Sequence, residues 1–356
     1  MSNPHVSVVM AVYNAQEYVS DAIESILCQT YNDFEFIIVE DGSSDDSLNI
    51  IQAYSDPRIK VIRNKENLKL IKSLNLGLQK ACGRYIVRMD ADDVSRPDRI
   101  EKQVNYMEVH PDCVLCGTSY KTFGSGMTSK SIVYPSDGQD IHYHMLSNTY
   151  FLHPSTCFRR EVVEKQSLKY REDFLHVEDH WFFFELLHHG VGHIMKDVLL
   201  DYRIHDQNVS VVHTAKQLIT QNAIRIKIAE HYGLTFKTSE EVKEYLSFLL
   251  VMKPQPHQES SVELSGDCGI FLTLLDNLKI LSDNSHNEVV VKNILRAIQK
   301  IVPLFCGFRL KDFRAILDHP LCKEAFTENR SRLWHYAKCV LGMHYDFNEI
   351  LSFNHD

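Results

Sequence analysis

A chain of 356 residues is longer than one hydrophobic core usually supports, so we expect two domains. Hydrophobic residues make up 44% and charged residues 24%, as in an ordinary soluble globular protein, and the net charge of -9 argues against a nucleic-acid-binding protein. Nine scattered cysteines favour reduced thiols in a cytoplasmic protein over a disulfide framework. We recognise neither a signal peptide nor an apolar run long enough to span a membrane.

Strands and helices are predicted to alternate through the first part of the chain. Continuous apolar runs are typical of strands buried in a parallel sheet, and a helical segment follows each of the first three. The predicted strands are residues 6–12, 34–39, 59–63 and 85–89, and the predicted helices are residues 15–27, a segment ending near Tyr54, and residues 71–81. This alternation predicts a doubly wound α/β unit with a mainly parallel sheet.

Polar and acidic side chains follow three of these strands. They are Tyr13 with Asn14, Glu40 with Asp41, and Asp90 with Asp92 and Asp93. Ligands bind at the carboxyl ends of such strands, so these groups are expected to meet in one crevice. Carboxylate oxygens suit Mg²⁺ or Mn²⁺, which also take oxygens from phosphates, and a solvated acidic loop is the alternative interpretation.

A basic segment precedes the acidic one. From Arg58 to Arg88 the chain has nine lysines and arginines and one acidic residue, Glu66. A metal–diphosphate ligand needs such cations, and Lys69 and Lys72 are our candidates for phosphate contacts, whereas most of the others are expected on a solvated helix face. The chain lacks the GxGxxG and GxxxxGK[ST] patterns, so a glycine loop is not expected to hold a nucleotide.

Two further acidic residues, Glu178 and Asp179, stand at the predicted start of a helix that ends at Gly190. They can simply complement the helix dipole, or Asp179 can be a general base that deprotonates a hydroxyl. Before and after this helix the chain is predicted to form a helix at 99–109, strands at 113–118, 156–158 and 198–203, and a loop region at 123–139.

From residue 213 to 356 the chain is predicted to be mostly helical. The predicted helices are residues 213–232, 240–252, 270–281, 288–302, 311–317 and 331–341. No catalytic constellation is visible there. We therefore predict a second domain at 213–356 for acceptor binding, docking to a membrane surface or self-association, and the sequence does not choose among these roles.

Eight short motifs occur in order between residues 4 and 212. They are VSVVMAVYN at 6–14, EDGSSDDS at 40–47, SLNLG at 73–77, GRYIVRMDADD at 83–93, PDRIEKQ at 97–103, HPS at 153–155, ED at 178–179 and YRIH at 202–205. Together they strongly resemble glycosyltransferase family 2, which has the GT-A fold, and within it the bacterial members that build surface polysaccharide. Residues 1–212 are accordingly predicted to be a GT-A catalytic domain.

The resemblance implies roles for the donor-binding residues. Ala11 and Tyr13 would hold the nucleotide base, and Asp41 would accept the uracil N–H, which favours a UDP-sugar. Asp92 would bind Mn²⁺ or Mg²⁺ directly, while Asp90 would reach the ribose or a metal-bound water. Relatives often have glycine where Lys69 stands, so close backbone approach is in doubt there and a phosphate contact becomes possible.

The resemblance also implies the chemistry. Asp179 would be the base in a one-step inverting displacement, Glu178 would position it or contact the acceptor, and His205 would lie near the metal or the diphosphate. His180-Trp181 departs from the aromatic and acidic residues that relatives often have next, which puts acceptor choice in doubt. The QxxRW pattern of processive synthases is absent, so one sugar is expected to be added.

Other interpretations remain open from the sequence. A nucleotidyltransferase would usually want a basic glycine-rich loop after the first strand, which is missing here. A catalytically silent sugar-nucleotide-binding subunit of a polysaccharide assembly complex would need neither Asp92 nor Asp179. For the transferase, the family implies a glycan or lipid-linked acceptor, and a lipid-linked or lipopolysaccharide acceptor would place the protein at the inner face of the cell membrane without spanning it. Homo-oligomerisation stays open.

Overall fold

The computed structural model describes residues 3–124, 128–133, 141, 145–146, 149, 151–206, 208, 214–252, 268–285, 294, 298 and 319–325. They form two compact units, with the division between Ile224 and Arg225. The catalytic-domain boundary expected after residue 212 stays a prediction. Except for residues 294 and 298, the helices predicted at 288–302, 311–317 and 331–341 lie outside the described residues.

The first part of the chain is the predicted α/β unit. Strands β1 (Val6–Val12), β2 (Phe34–Glu40), β3 (Ile59–Arg63) and β4 (Tyr85–Met89) are parallel in the order β3-β2-β1-β4, and helices α1 (Val19–Leu27), α2 (Ser47–Gln52) and α3 (Leu70–Lys80) connect them. Strands β2 and β4 are buried along their whole length, and β1 is buried except at Ala11, as their apolar runs predict.

Helix α1 begins at Val19, four residues later than predicted. Asn14 has a φ of +50°, and its Oδ1 accepts a hydrogen bond from the Ser44 backbone N–H at 2.9 Å. The segment after β1 is therefore hydrogen-bonded to the loop after β2 instead of extending the helix. This arrangement holds the two loops together at one edge of the sheet.

The rest of the sheet is mixed, which refines the mainly parallel sheet that was predicted. Strands β5 (Val94–Ser95), β6 (Cys113–Phe123), β7 (Lys130–Ile132), β8 (Cys157–Arg159) and β9 (Val191–Arg203) extend it in the order β4-β8-β6-β9-β5, with β7 paired to β6. Strand β8 is antiparallel to both β4 and β6, whereas β6 and β9 are parallel. Both β6 and β9 are longer than predicted, since backbone pairing continues through their polar residues.

Helices α4 (Arg99–Val109), α5 (Arg160–Lys165) and α6 (Glu178–Leu187) belong to this second half of the first unit. Helix α4 supports the end of β4. Arg99, which is fully buried, donates a hydrogen bond from Nη2 to the Arg88 carbonyl at 2.5 Å. Gln103 Nε2 donates to the carbonyls of Cys116 and Ser155, each at 2.9 Å. These buried bonds fix β4 relative to β6 and to the segment before β8.

Helices α7 (Thr214–His231), α8 (Ser239–Met252), α9 (Cys268–Ser285) and α10 (Pro320–Ala325) follow. The first three were predicted within a few residues, and α10 was not predicted. In the second unit Tyr245 of α8 and Leu275 of α9 are fully buried, and Asn277 of α9 holds the backbone of Thr235 through two hydrogen bonds. Among the described helices, none combines the length and the apolar character needed to cross a membrane.

Candidate active site

Three carboxylates follow β4 directly. One oxygen from each of Asp90, Asp92 and Asp93 lies within 4.8 Å of the others. Asp90 Oδ1 forms an ion pair with Arg88 Nη1, and Asp93 Oδ1 accepts a hydrogen bond from the Arg203 backbone N–H at 2.8 Å. Burial raises the pKa of both Asp90 and Asp93, and the neighbouring carboxylates add to the effect. The cluster thus concentrates negative charge at the carboxyl end of β4.

The segment after β9 holds Asp92 in place. His205 Nε2 lies 3.0 Å from Asp92 Oδ2, and Asn208 Nδ2 donates to the same oxygen at 3.4 Å. Arg203 Nε donates to the Asp92 carbonyl at 2.7 Å. The Arg203 guanidinium lies 4.7 Å from the Tyr18 ring centroid and 4.5 Å from that of Phe123. The predicted metal residues Asp92 and His205 are therefore in direct contact.

Glu178 and Asp179 form the first turn of α6, as predicted. The backbone N–H of His180 donates to Asp179 Oδ1 at 2.9 Å. Burial raises the pKa of Asp179 to about 6, and burial followed by the Asp179 charge raises that of Glu178 to about 7. Glu178 Oε2 is buried and accepts no hydrogen bond from any described residue. Both carboxyl groups can therefore exchange a proton near neutral pH.

One cleft of about 330 Å³ brings the two acidic groups together. Its lining residues are Leu70, Arg88, Asp90, Asp92, Thr149, Phe151, Leu152, His153, Pro154, His176, Glu178, Asp179, Tyr202, Asn208 and Gln217. His205 is joined to the cleft through Asp92. Four of the predicted site residues thus line one space, although 86 residues separate Asp92 from Glu178 in the sequence.

The residues predicted to hold the nucleotide lie beside this cleft, at the ends of β1 and β2. These ends are neighbours in the sheet, since Val12 pairs with Glu40. Ala11 is half-buried in β1, and the Tyr13 side chain is 47% exposed just after it. Asp41 is buried, and its Oδ1 accepts hydrogen bonds from Asn64 Nδ2 at 2.7 Å and from the Leu68 backbone N–H at 2.9 Å.

Lys69 and Lys72 differ in their surroundings. Lys69 has a φ of +76° and a ψ of 159°, a conformation that is essentially restricted to glycine, and it immediately precedes α3. Glycine would adopt this backbone conformation without strain. Lys72 lies on α3 with its side chain 53% exposed, and its Nζ is 3.6 Å from Glu172 Oε2. Neither lysine is among the described residues that line the cleft.

Several cleft residues had no predicted role. Arg88 interrupts an otherwise apolar strand two positions before Asp90, and this spacing could have placed both on one face of β4. His153, from the HPS motif, is half-buried against Tyr170, whose hydroxyl lies 2.9 Å from His153 Nε2, and desolvation lowers the His153 pKa well below its usual value. No local pattern marked Asn208 as a partner of Asp92.

The sequence and fold were compared with those of known proteins. The family model described as glycosyl transferase family 2 matches residues 7–166. An uncharacterized glycosyltransferase of Haemophilus influenzae is 32% identical over 84% of this chain and 98% of its own length. The chain belongs to glycosyltransferase family 2. The O-antigen biosynthesis glycosyltransferase WbnJ of Escherichia coli is 34% identical over 57% of this chain and 81% of its own length.

The fold of this family 2 glycosyltransferase is also found among solved structures. The crystal structure of S. aureus TarS 1-349 in complex with UDP-GlcNAc aligns with a TM-score of 0.57 over 92% of this chain and 91% of that one, at 16% identity. At this identity the likeness concerns the fold alone. The prediction of a GT-A fold followed by helices is confirmed.

Proposed function

We propose that this glycosyltransferase is an inverting, metal-dependent enzyme that transfers one sugar from a UDP-sugar to a hydroxyl of a glycan or lipid-linked acceptor. The observation that carries the proposal is the shared cleft, in which a carboxylate cluster suited to a cation lies together with a carboxyl pair, Glu178 and Asp179, suited to proton transfer. A phosphate leaving group and an attacking hydroxyl need these two kinds of group.

The acidic cluster fits Mn²⁺ or Mg²⁺. It offers closely spaced oxygen ligands, and Asp93 Oδ2 is buried without a hydrogen bond from any described residue. Asp92 would hold the ion, Asp90 would reach the ribose or a metal-bound water, and His205 would orient Asp92 or join the ligands. When bound, the ion would neutralise the diphosphate and make it a better leaving group.

The carboxyl groups of Glu178 and Asp179 support the proton-transfer role. With a pKa of about 6, Asp179 is mostly ionised at neutral pH, yet remains basic enough to accept the proton of an acceptor hydroxyl. Its hydrogen bond from the His180 N–H fixes the orientation of the carboxylate. The adjacent Glu178, with a pKa of about 7, is positioned to contact the acceptor.

The nucleotide preference rests on Asp41. Because Asn64 and Leu68 both donate to Oδ1, the carboxyl group is fixed in orientation at the end of β2. A fixed acceptor at this point suits the N–H of uracil, and the exposed Tyr13 ring beside it can stack on the base. The UDP-GlcNAc complex of TarS, a protein of similar fold, is consistent with a uridine nucleotide.

Surface-polysaccharide synthesis is the biological setting that we propose, because the relative WbnJ is an O-antigen biosynthesis glycosyltransferase. A lipid-linked acceptor would bring the enzyme to the inner face of the cell membrane. The donor sugar is left to experiment, since sugar choice depends on a few contacts of small energy.

The proposed function can be tested by measuring nucleotide release from a panel of UDP-sugars and GDP-mannose with Mn²⁺, with Mg²⁺ and with chelator. We expect slow, metal-dependent hydrolysis of one UDP-sugar. Hydrolysis of GDP-mannose alone would contradict the assignment of Asp41 to uracil. Metal-dependent binding of UDP without any turnover, even with extracts that contain acceptors, would favour a silent sugar-nucleotide-binding subunit.

A further inference from the structure

Arg88 is a buried cation in the cleft to which the proposed function gives no role. Its side chain is 3% exposed. Arg88 lies in β4, two positions before Asp90, and its Nη1 forms an ion pair with Asp90 Oδ1. Its Nε is buried and makes no hydrogen bond with any residue that the structure describes. A buried N–H group without an acceptor is unfavourable, so this side of the guanidinium is suited to an oxygen of a ligand.

The charge of Arg88 acts on both acidic groups of the cleft. Besides its ion pair with Asp90, it lowers the pKa of Asp179 and of Glu178, although burial raises both by more. Asp92 has other partners, since His205 and Asn208 hold its carboxylate. Arg88 therefore lines the same cleft as the carboxylate cluster and the carboxyl pair of α6, and it is paired directly with the cluster through Asp90.

This location is informative because of the geometry of the reaction. In an in-line displacement the anomeric carbon lies between the leaving diphosphate and the attacking hydroxyl. In the proposed function, on which this inference rests, Asp92 marks the diphosphate side and Asp179 the hydroxyl side. The donor sugar then occupies the cleft that holds both sides, and Arg88 lines this cleft. The neighbouring apolar lining of Phe151, Leu152 and Pro154 suits the C–H surface of a sugar ring.

We propose that Arg88 binds the sugar of the UDP-sugar donor by donating hydrogen bonds from its guanidinium N–H groups to sugar hydroxyl oxygens. A planar guanidinium presents its donors in a fixed arrangement, which lysine cannot reproduce. Arg88 is then a specificity-determining residue, because a donor sugar that lacks the matching hydroxyl leaves a buried N–H group unpaired.

The test compares UDP with UDP-glucose, UDP-galactose and their N-acetylamino counterparts in calorimetric binding experiments with Mn²⁺. The quantity of interest is the Kd of each UDP-sugar divided by the Kd of UDP. For Arg88→Lys we expect this ratio to rise about tenfold or more for the preferred donor, since hydrogen bonds from a charged group are lost. The Kd of UDP itself should change much less than the Kd of the UDP-sugar, because lysine keeps a positive charge beside Asp90.

Arg84→Lys is the matched control. Arg84 immediately precedes the same strand, but its side chain is exposed and paired with Glu108, so all ratios should stay at the wild-type values. An equal loss of UDP and UDP-sugar affinity in Arg88→Lys would overturn the inference, because Arg88 would then act on the nucleotide or the metal. Unchanged ratios would overturn it as well. A wild-type protein that binds UDP but no UDP-sugar, or neither, would contradict the proposed function itself.

A second measurement needs no variant and remains decisive if Arg88→Lys fails to fold. Wild-type enzyme is titrated with analogues of the preferred UDP-sugar that each lack one hydroxyl. We expect at least one analogue to bind about tenfold more weakly than the parent, since it leaves a guanidinium N–H group without its acceptor. Equal affinity for every deoxy analogue would overturn the inference.

Discussion

The two acidic groups of the cleft consist of the same kinds of residue but are held differently. Asp92 is 25% exposed at its side chain, and its Oδ2 has two neighbouring partners, His205 and Asn208. Glu178 is 5% exposed, and burial raises the pKa values of Glu178 and Asp179 to about 7 and about 6. Surroundings can thus assign a cation-binding role to one carboxylate and a proton-transfer role to another. The predictions below test this difference.

The largest expected effect concerns Asp179→Asn. The amide oxygen can still accept the His180 N–H bond, so the geometry should be kept, but the amide cannot take a proton. We expect kcat to fall about 1,000-fold, within the usual range for a lost general base, while the Kd of the UDP-sugar stays within about twofold. Asp173→Asn, at an exposed residue paired with Arg171, is the control. Nearly normal turnover of Asp179→Asn would remove Asp179 from the role.

Asp92→Asn should affect binding instead of the proton transfer. Removing this charge should weaken UDP binding in Mn²⁺ by about 100-fold or more, down to the affinity measured in chelator, because outer ligands alone commonly contribute 10- to 100-fold. Calorimetry with and without Mn²⁺ measures this directly. Asp197→Asn, at an exposed residue paired with Lys102, should leave the metal dependence unchanged. A UDP affinity that still depends on Mn²⁺ in Asp92→Asn would contradict the metal assignment.

Glu178→Gln tests how the buried Glu178 carboxyl affects the stability of the folded protein. The folded-state pKa of Glu178 is raised from 4.5 to about 7, so between these pH values the folded protein binds more protons than the unfolded chain. Its contribution is therefore fully present below about pH 4.5 and is lost as pH rises towards 7. The loss is on the order of 3 kcal/mol for a shift of this size. The Glu178→Gln variant lacks this carboxyl group, so it should lack the contribution of Glu178 to the pH dependence of stability.

Thermal melts of wild type and Glu178→Gln at pH 5 and pH 8 measure the effect. We expect similar transition temperatures at pH 5 and a higher one for the variant at pH 8, since the wild type then carries a buried charge. Glu172→Gln, which alters an exposed carboxylate paired with Lys72, should follow the wild type at both pH values. A variant that is no more stable than wild type at pH 8 would show that Glu178 is not the source of the predicted pH dependence.

The sequence was informative where local pattern determines structure. Strands β1, β3 and β4 were predicted to the residue, because their boundaries coincide with apolar runs or turn residues. The antiparallel direction of β8 was not predicted, because a short apolar run indicates a strand but not its direction relative to its neighbours. The environment of Arg88 could not be predicted either, because His153 and Asp179, which line the same cleft, are distant in the chain. Residue type suggested which groups react, whereas packing determines their protonation and partners.

The smallest expected effect concerns the backbone at Lys69. Its φ of +76° with a ψ of 159° is unfavourable for any side chain, so Lys69→Gly should relieve strain and stabilise the folded state by about 1 kcal/mol after the entropy of glycine is included. Lys72→Gly, three residues on in the first turn of α3, should instead destabilise the protein by up to about 1 kcal/mol, because glycine is a poor helix former. Thermal or urea unfolding of both variants compares the two lysines directly. Destabilisation by both substitutions would mean that contacts of the Lys69 side chain stabilise the fold by more than the backbone strain costs. A marked loss of UDP affinity in Lys69→Gly alone would indicate that Lys69 binds phosphate.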